Sequence, residues 1–591
     1  MRIWVLAALI GALAGLVTPV LFHVLEQMTE FFAAQALEGA FSVGPVAYGF
    51  LLPLGGAFVA FASVAAFRAY RSADGFTYFF SDLHFQDGRR KLRYSLAHGL
   101  GALAMSVGGG VVGLEAFGVE FFSSLASWLG GRARLSASQV RTLMASGAAA
   151  ALAALLGQPL AAFLFVVELL YGWGSRSFQV GIYAVTAFVA ASVSATISRP
   201  GSALGVVTGP DHGLSLLFAG EVGDVDPFRG LLAFLVVVPL SAAMAHLLVA
   251  SHRRTDAEFH NLFSTRRSTD LSPVAVGLRL GFWAALTGVV QLKIPQVLEQ
   301  GAVPLLEQTM EGATALRFAA LALVLRVVMG SVSYGALGTM GFVFPVLVTA
   351  GLAGAVLHAL VEPWLALGSA TFVLIFTGSV FSAAMGTPVA ATALVFGWSD
   401  GAVSGNAGFL LLSLAANFSS HWIASFVVKD RMPTMGLYRH GIRFRNGMCF
   451  NTLSAINVKD AMHTHVHPVP RSASLGEAYR TLMDSRYLKL PVVDQAGKLQ
   501  GMISLSDFFG LDTWRRLGDD SQVHSLVGVE ELMRPAPVVK SDMSLESALA
   551  RMSDEEVTPV VDDQDFYQGI LLRSDLENLY NKEVVKKAFR R

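Results

Sequence analysis

Long apolar runs recur along most of this sequence, and they constrain its fold more than any other feature. A helix needs about 20 apolar residues to cross the hydrocarbon core of a bilayer. Eleven runs have this character or approach it: 3–24, 47–69, 93–112, 143–171, 178–197, 229–250, 274–291, 316–331, 341–361, 370–397 and 407–428. Because the first is too long for a secretory signal core, we interpret it as a membrane helix. The sequence therefore predicts an all-α polytopic membrane domain over residues 1–430.

Composition excludes several other classes of protein. Hydrophobic residues make up 53% of the chain and charged residues only 15%, against about a quarter charged in soluble domains. Lys plus Arg balance Asp plus Glu at 43 each, so no basic excess indicates a nucleic-acid partner. The single cysteine excludes an internal disulfide and a cysteine-rich metal site. We expect a lipid bilayer as partner, no catalytic residues, no metal, no required cofactor and no enzymatic activity.

Glycine and proline interrupt several of these runs, and the interruptions repeat. Non-helical backbone at membrane depth is tolerated only where protein or a water-filled cavity satisfies its polar groups, so the breaks indicate a transport site. The break at 157–162 is answered by the break at 386–391, and Gly113 is answered by Gly341 at nearly the same separation along the chain. Matching separations predict two related, inverted halves that meet in the membrane. Chance similarity between small-residue helix contacts is the alternative.

After Val428 the chain becomes basic and then repeats an α/β pattern. Basic residues crowd the segment 429–445, which predicts a cytoplasmic exit from the membrane. Two copies of a helix, an apolar strand and a strand-to-helix turn then follow, and the separation from Val493 to Val561 equals that from Asp507 to Asp575. The sequence predicts a linker at 431–456 and two soluble modules at 457–515 and 516–591.

Glu115 lies in a glycine-rich turn within apolar surroundings. A carboxylate at membrane depth is costly and is by default a functional candidate, because apolar surroundings favour its protonated form unless it faces a cavity. The alternative is a structural carboxylate at the positive end of a helix dipole.

Two of these motifs resemble those of the CLC family of anion channels and anion/proton exchangers. The run Gly113–Phe117 resembles the family's Gly-Arg/Lys-Glu-Gly-Pro motif, and Gly341–Pro345 resembles its Gly-x-Phe-x-Pro motif. By this resemblance Glu115 is the gating glutamate, which also exchanges protons. The anion ligands that the resemblance implies are Ser72, Gly113, Leu114, Gly341, Phe342, Val343 and Phe344. It also implies a homodimer in the plasma membrane of a bacterium, which carries chloride or another small anion such as fluoride or nitrate.

The motifs depart from the family pattern at several places. Ala116-Phe117 replaces the Gly-Pro after the glutamate, and Val343 replaces the central Phe of the second motif. Asp74 close to Ser72 would oppose an anion if both faced the pore, so Ser72 is alternatively part of a polar loop. Met432 or Pro433 falls where the family has a pore tyrosine.

Proton coupling is the largest departure. Exchangers of the family have an inner glutamate directly after the one that Glu168 resembles, and Leu169 stands at that place. The chain is therefore expected to be a passive anion channel or an exchanger with an altered inner proton path. Two other interpretations remain open: a sensor that does not transport, and a cation transporter, which would need more carboxylates along the membrane path than these runs offer.

The repeated modules resemble CBS domains, which follow the membrane part in many CLC proteins. Their Gly-x-x-Ser/Thr-x-x-Asp turn commonly holds the phosphate and ribose of a nucleotide, and Gly501, Ser504 and Asp507 fit it. The second copy retains Asp575 but has Leu572 in place of the hydroxyl. The resemblance implies binding of AMP, ADP or ATP, with Ser504, Asp507 and Asp575 as candidate contacts and a complete turn in the first copy alone. The alternative is a dimerisation module without a ligand.

Overall fold

The computed structural model describes residues 2–37, 45–67, 69, 79–80, 82–83, 88–113, 115–171, 177–198, 225–263, 272–337, 341–365, 367–399, 407–428, 431–439, 444–445, 448–449, 456–485, 487–509, 528–552 and 556–576. It divides into two compact units, Met1–Arg439 and His440–Arg591. The helices of the first unit are α1 (Arg2–Leu37), α2 (Pro45–Ala66), α3 (Leu92–Val107), α4 (Glu115–Arg132), α5 (Ala137–Leu156), α6 (Pro159–Tyr171), α7 (Ser177–Ile197), α8 (Pro227–Phe263), α9 (Pro273–Lys293), α10 (Glu299–Met310), α11 (Leu316–Leu337), α12 (Val343–Leu365), α13 (Ser369–Met385), α14 (Pro388–Trp398), α15 (Ala407–Val427) and the short α16 (Met435–Arg439).

Most of these helices have membrane-spanning character. Within the described residues, nine are long and apolar enough to cross a bilayer: α1, α2, α5, α7, α8, α9, α11, α12 and α15. Three shorter apolar helices, α6, α13 and α14, lie among them. The predicted all-α polytopic domain is confirmed.

The predicted breaks separate helices in both halves of this unit. Gly157 ends α5 with φ of 65°, and Gly386 ends α13 with φ of 82°. Only glycine adopts this left-handed backbone at little cost, and a proline that opens the next helix has no N–H to leave unpaired. The start of α12 follows that of α4 at nearly the same separation as the start of α14 follows that of α6. These pairs confirm the two related halves.

Several helices differ from the apolar runs. The run 229–250 continues as a single 37-residue helix to Phe263, because its polar end still packs one face on the protein. Neither α4 nor α10 was predicted as an apolar run. The helix α4 is rich in Ser and Gly and carries two carboxylates, so its hydropathy is low although most of its residues are buried.

A buried ionic cluster joins the start of α3 to α4. The Arg90 guanidinium contacts the carboxylates of Asp82, at 3.3 Å, and Glu120, and its Nε donates to Ser95 Oγ at 2.7 Å. All three charged side chains are largely buried. Removing one member of such a group leaves an uncompensated charge, typically at a cost of about 3–5 kcal/mol. The cluster therefore holds α3 beside α4. The Gly113 turn lies between these two helices in the chain.

The second unit contains two copies of one small α/β module. Its strands are β1 (Phe444–Arg445), β2 (Met448–Cys449), β3 (Val469–Pro470), β4 (Lys489–Val493), β5 (Leu499–Ser504), β6 (Val539–Lys540), β7 (Val557–Val561) and β8 (Tyr567–Leu572), and its helices are α17 (Leu475–Asp484), α18 (Leu505–Phe509) and α19 (Leu545–Met552). Beside the hairpin β1-β2, the sheets β3-β4-β5 and β6-β7-β8 each combine a parallel and an antiparallel pair. The corresponding strands β4/β7 and β5/β8 have equal lengths and equal separations along the chain, which confirms the predicted repeat.

The first long helix of this unit, α17, begins directly after Ser474. Ser474 caps α17, and its side chain accepts from the Glu477 N–H while Glu477 reaches back to Ser474. Such a capping box stabilises a helix start by about 1 kcal/mol. Hydrogen bonds from the backbone and the hydroxyl of Ser474 hold the pKa of Glu477 below its usual value.

Candidate functional site

The turns that precede α4 and α12 touch each other. The Gly113 N–H donates to the Gly341 carbonyl oxygen at 3.2 Å. A Cβ at Gly341 would collide with the Gly113 carbonyl oxygen, and a Cβ at Gly113 would collide with the Glu115 carboxylate. Gly341 is therefore required by close backbone approach, whereas at Gly113 the Glu115 carboxylate fills the space that a Cβ would take. The amino ends of two helices, one from each half, are thereby brought to the same place.

Glu115 is the first residue of α4, and its carboxylate reaches the amino end of α12. Its Oε1 accepts the Phe344 N–H at 3.1 Å, and the residue is only 2% exposed. A helix amino end carries free N–H groups and about half a positive charge, so it attracts a carboxylate and a small anion alike. The Glu115 carboxylate therefore takes one of the free N–H groups at the amino end of α12.

A small cavity adjoins this carboxylate. The volume of this cavity that is open to the centre of a water molecule is about 20 Å³, which is enough for one water. Glu115, Val343, Phe79 and Leu169 are among its lining residues. The position where the family has an inner glutamate thus shares a cavity with Glu115, although it holds leucine.

A second carboxylate of the first half caps a broken helix of the second half. Glu168 accepts the Val389 N–H at 3.1 Å and the Ala390 N–H at 2.8 Å, both in the first turn of α14. At the other end of this pair, Gln158 donates to the Gly397 carbonyl oxygen at 3.1 Å. The helices α6 and α14 are thus held antiparallel at both ends, and the Glu168 contacts give this residue a structural role.

In the second unit, Ser504 and Asp507 lie together as the turn motif predicts. Asp507 Oδ2 accepts from the Ser504 N–H at 2.8 Å and from its hydroxyl at 2.6 Å. Asp507 Oδ1 lies 2.9 Å from Arg534 Nε, which belongs to the other copy. A Cβ at Gly501 would lie 2.8 Å from the Arg534 carbonyl oxygen. The carboxylate expected to bind ribose is therefore already paired with a cation.

The second copy repeats this arrangement with a different base. Asp575 Oδ2 contacts His463 Nε2, and His463 exchanges backbone hydrogen bonds with Ile570. Arg534 exchanges the equivalent bonds with Met502. Each copy therefore places a basic residue on the carboxylate of the other, arginine on Asp507 and histidine on Asp575.

The family model for the voltage gated chloride channel matches residues 55–425, more than half of the chain. The chain belongs to this family. Models of the CBS domain match residues 458–512 and 529–581, as the sequence predicts. This CLC-family chain is an integral membrane protein with the fold of the family's transporters and channels, followed by two CBS domains.

Solved structures of CLC proteins share this fold. A slow cyanobacterial Cl⁻/H⁺ antiporter is 17% identical with a TM-score of 0.61, over 74% of this chain and 98% of its own. A eukaryotic CLC transporter is 14% identical with a TM-score of 0.56, over 97% and 99%. A CLC-type fluoride/proton antiporter is 18% identical with a TM-score of 0.54, over 72% and 95%.

The predicted anion ligands of this CLC-family chain fall into two groups. Gly113 and the run from Gly341 to Phe344 lie at the meeting turns, although their role as ligands stays a prediction. Ser72 and Leu114 lie outside the described residues. Met432 and Pro433, one of which falls at the place of the family's pore tyrosine, are both buried. The homodimer, the bacterial plasma membrane and the cytoplasmic side of the CBS pair also stay predictions.

Sequence reasoning missed two buried polar residues near the site. Arg326 on α11 and His252 on α8 are 1% and 7% exposed, and both line a cavity that Gly341 and Phe342 also line. The available signal was a charged residue within the apolar run 316–331, which marks a functional position by default.

Proposed function

We propose that this protein conducts small anions across a membrane past the meeting amino ends of α4 and α12, with Glu115 as the gate. The hydrogen bond from the Phe344 N–H to Glu115 Oε1 carries the proposal. It supports the view that an ionised Glu115 occupies a place that suits an anion.

The gate follows from competition between two negative groups for the same N–H donors. An ionised carboxylate satisfies the helix end and repels an arriving anion. A protonated carboxyl group has no net charge, so it loses most of its attraction to the helix end and can leave. Helix ends bind the anion weakly enough for release, as conduction requires. Acidification therefore opens the path.

We further propose that conduction is not coupled to protons crossing the membrane. Leu169 lines the cavity of Glu115 at the place of the inner glutamate, and a leucine side chain cannot hold a proton. Among the described residues that line this cavity, Glu115 has no titratable neighbour. The alternative function is an exchanger whose protons take a different inner route.

Reversal potentials of the protein in reconstituted bilayers distinguish these two functions. We expect a tenfold chloride gradient to give about 59 mV, the value for one monovalent charge, with no contribution from an opposed pH gradient. Replacing external chloride by fluoride or nitrate in the same bilayer then ranks the anions. A reversal potential that moves with the pH gradient would show exchange and contradict the passive channel.

An adenine nucleotide is the proposed ligand of the first CBS copy, at Ser504 and Asp507. Because Arg534 already pairs with Asp507, a nucleotide must displace the guanidinium or bind its phosphate to it. We expect calorimetric titration of the full-length protein with AMP or ATP to give saturable heat, and Ser504→Ala to weaken it. Asp575→Asn, in the copy that lacks the hydroxyl, is made for comparison and should weaken binding less than Ser504→Ala does. Absence of heat up to millimolar nucleotide counts against the site.

A further inference from the structure

A second cavity lies against another face of the amino end of α12. Phe342, Pro345, Val346 and Thr349 line it, at the spacing of one helical face, whereas Val343 lines the cavity of Glu115. Its volume open to the centre of a water molecule is also about 20 Å³, which is enough for one occupant of that size. The same helix start therefore lies between two cavities that the described residues enclose.

Arg326 supplies a permanent positive charge to this second cavity. Its Nε donates to Thr349 Oγ1 at 3.1 Å and its Nη1 to the Val297 carbonyl oxygen at 3.1 Å. A guanidinium stays charged in proteins, and a buried charge is stabilised by an opposite charge nearby. Thr349 is the seventh residue of α12, so the guanidinium lies beside the second turn of this helix, where its charge favours a negative occupant of the cavity.

His252 adds a group that changes its hydrogen bonding with protonation. Its Nδ1 lies 2.9 Å from the Leu248 carbonyl oxygen and 3.2 Å from Ser331 Oγ, and Ser331 itself donates to the Val327 carbonyl oxygen. Nδ1 must therefore carry a proton. The remaining nitrogen, Nε2, accepts in the neutral ring and donates in the imidazolium.

We infer that this cavity is a second anion site, which takes one small monovalent anion together with one proton on His252. A neutral Nε2 would present its lone pair to the anion, whereas a protonated Nε2 donates to it. Arg326 and Tyr334 are the other titratable side chains in the described lining of the cavity. The charge of Arg326 opposes a second positive charge on His252, and a bound anion offsets that repulsion. Anion binding and proton uptake are therefore linked.

This uptake is a local binding event, separate from proton movement across the membrane, and it does not depend on the gating role of Glu115. The test uses full-length protein with Glu115→Gln, because the glutamine cannot itself bind a proton. Sodium chloride is added to this protein in weakly buffered detergent solution near pH 7, with sodium gluconate, whose anion is too large for the cavity, as the salt control. We expect proton uptake that saturates with chloride, and no uptake with gluconate.

Two further variants locate the proton and the charge. His252→Gln in the Glu115→Gln background should abolish the uptake, and Arg326→Met should weaken chloride binding in calorimetry. Because Arg326 is buried, Arg326→Lys is made beside it, and this variant should retain more chloride binding than Arg326→Met. Chloride binding without proton uptake in Glu115→Gln would overturn the inference. Uptake that survives His252→Gln, or absence of chloride binding altogether, would also overturn it.

Discussion

Substitution of Glu115 by glutamine should make anion flux independent of pH and hold the path open at neutral pH. Glutamine keeps the size of the side chain, and its carbonyl oxygen can still accept the Phe344 N–H. It cannot become an anion, so it loses the charge that competes with the permeant ion at the amino end of α12. In the wild type, each pH unit above the titration of the gate lowers its protonated fraction about tenfold. Flux assays in liposomes across a pH series measure this difference.

Glu168→Gln is the matched control for this experiment. It also neutralises a carboxylate of the first half that caps a broken helix of the second half, but at α14 rather than α12. We expect its flux to keep the pH dependence of the wild type. If Glu115→Gln retained that dependence, or if Glu168→Gln lost it as well, Glu115 would not be the gate.

The positions of the membrane breaks were predictable because their cause is local. Glycine at 157 and 386 adopts a left-handed backbone, and proline two residues later opens the next helix. These requirements act on a few consecutive residues and therefore appear as short motifs. The relation between the two halves then followed from simple comparison of the motifs. The repeated strands of the CBS pair were predictable for the same reason.

Contacts between distant segments were not predictable in this way. The sequence placed Glu115 near the second half only through resemblance, since its contact with Phe344 joins positions that are far apart in the chain. Pairing of Arg534 with Asp507 depends on how the two CBS copies face each other, and no local pattern encodes that. Helix α4 was missed because its burial comes from packing against α5 and not from its own hydropathy.

Arg326 was not part of the sequence interpretation of this site. The structure adds a guanidinium on another face of the same helix start. A permanent positive charge there makes the electrostatic potential around α12 more positive, and this strengthens the attraction of anions to the turn. Attraction by backbone N–H groups and attraction by a side chain therefore act together, while Glu115 opposes both when it is ionised.

Replacement of Leu169 by glutamate should make the reversal potential depend on the pH gradient. Leu169 and Glu115 line the same cavity, so a carboxyl group at position 169 would put a second proton-binding group beside the first. A proton could then pass between the two carboxyl groups through one water in the cavity. The Glu115 side chain would carry it as it moves to and from the amino end of α12. Part of the anion flux would become coupled to protons. Reversal potentials under opposed chloride and pH gradients measure the change.

Leu169→Gln is the matched control, because it brings the same bulk and polarity without a titratable proton. With this variant the reversal potential should depend on the chloride gradient alone. If burial of a glutamate at position 169 prevents folding, Leu169→His serves as a second titratable variant. The anion flux of each variant is also measured, to show that its anion path is intact. If the Leu169→Glu protein conducts anions but its reversal potential does not depend on the pH gradient, protons do not pass between position 169 and Glu115 through this cavity. The absence of coupling in the wild type would then need a cause other than leucine.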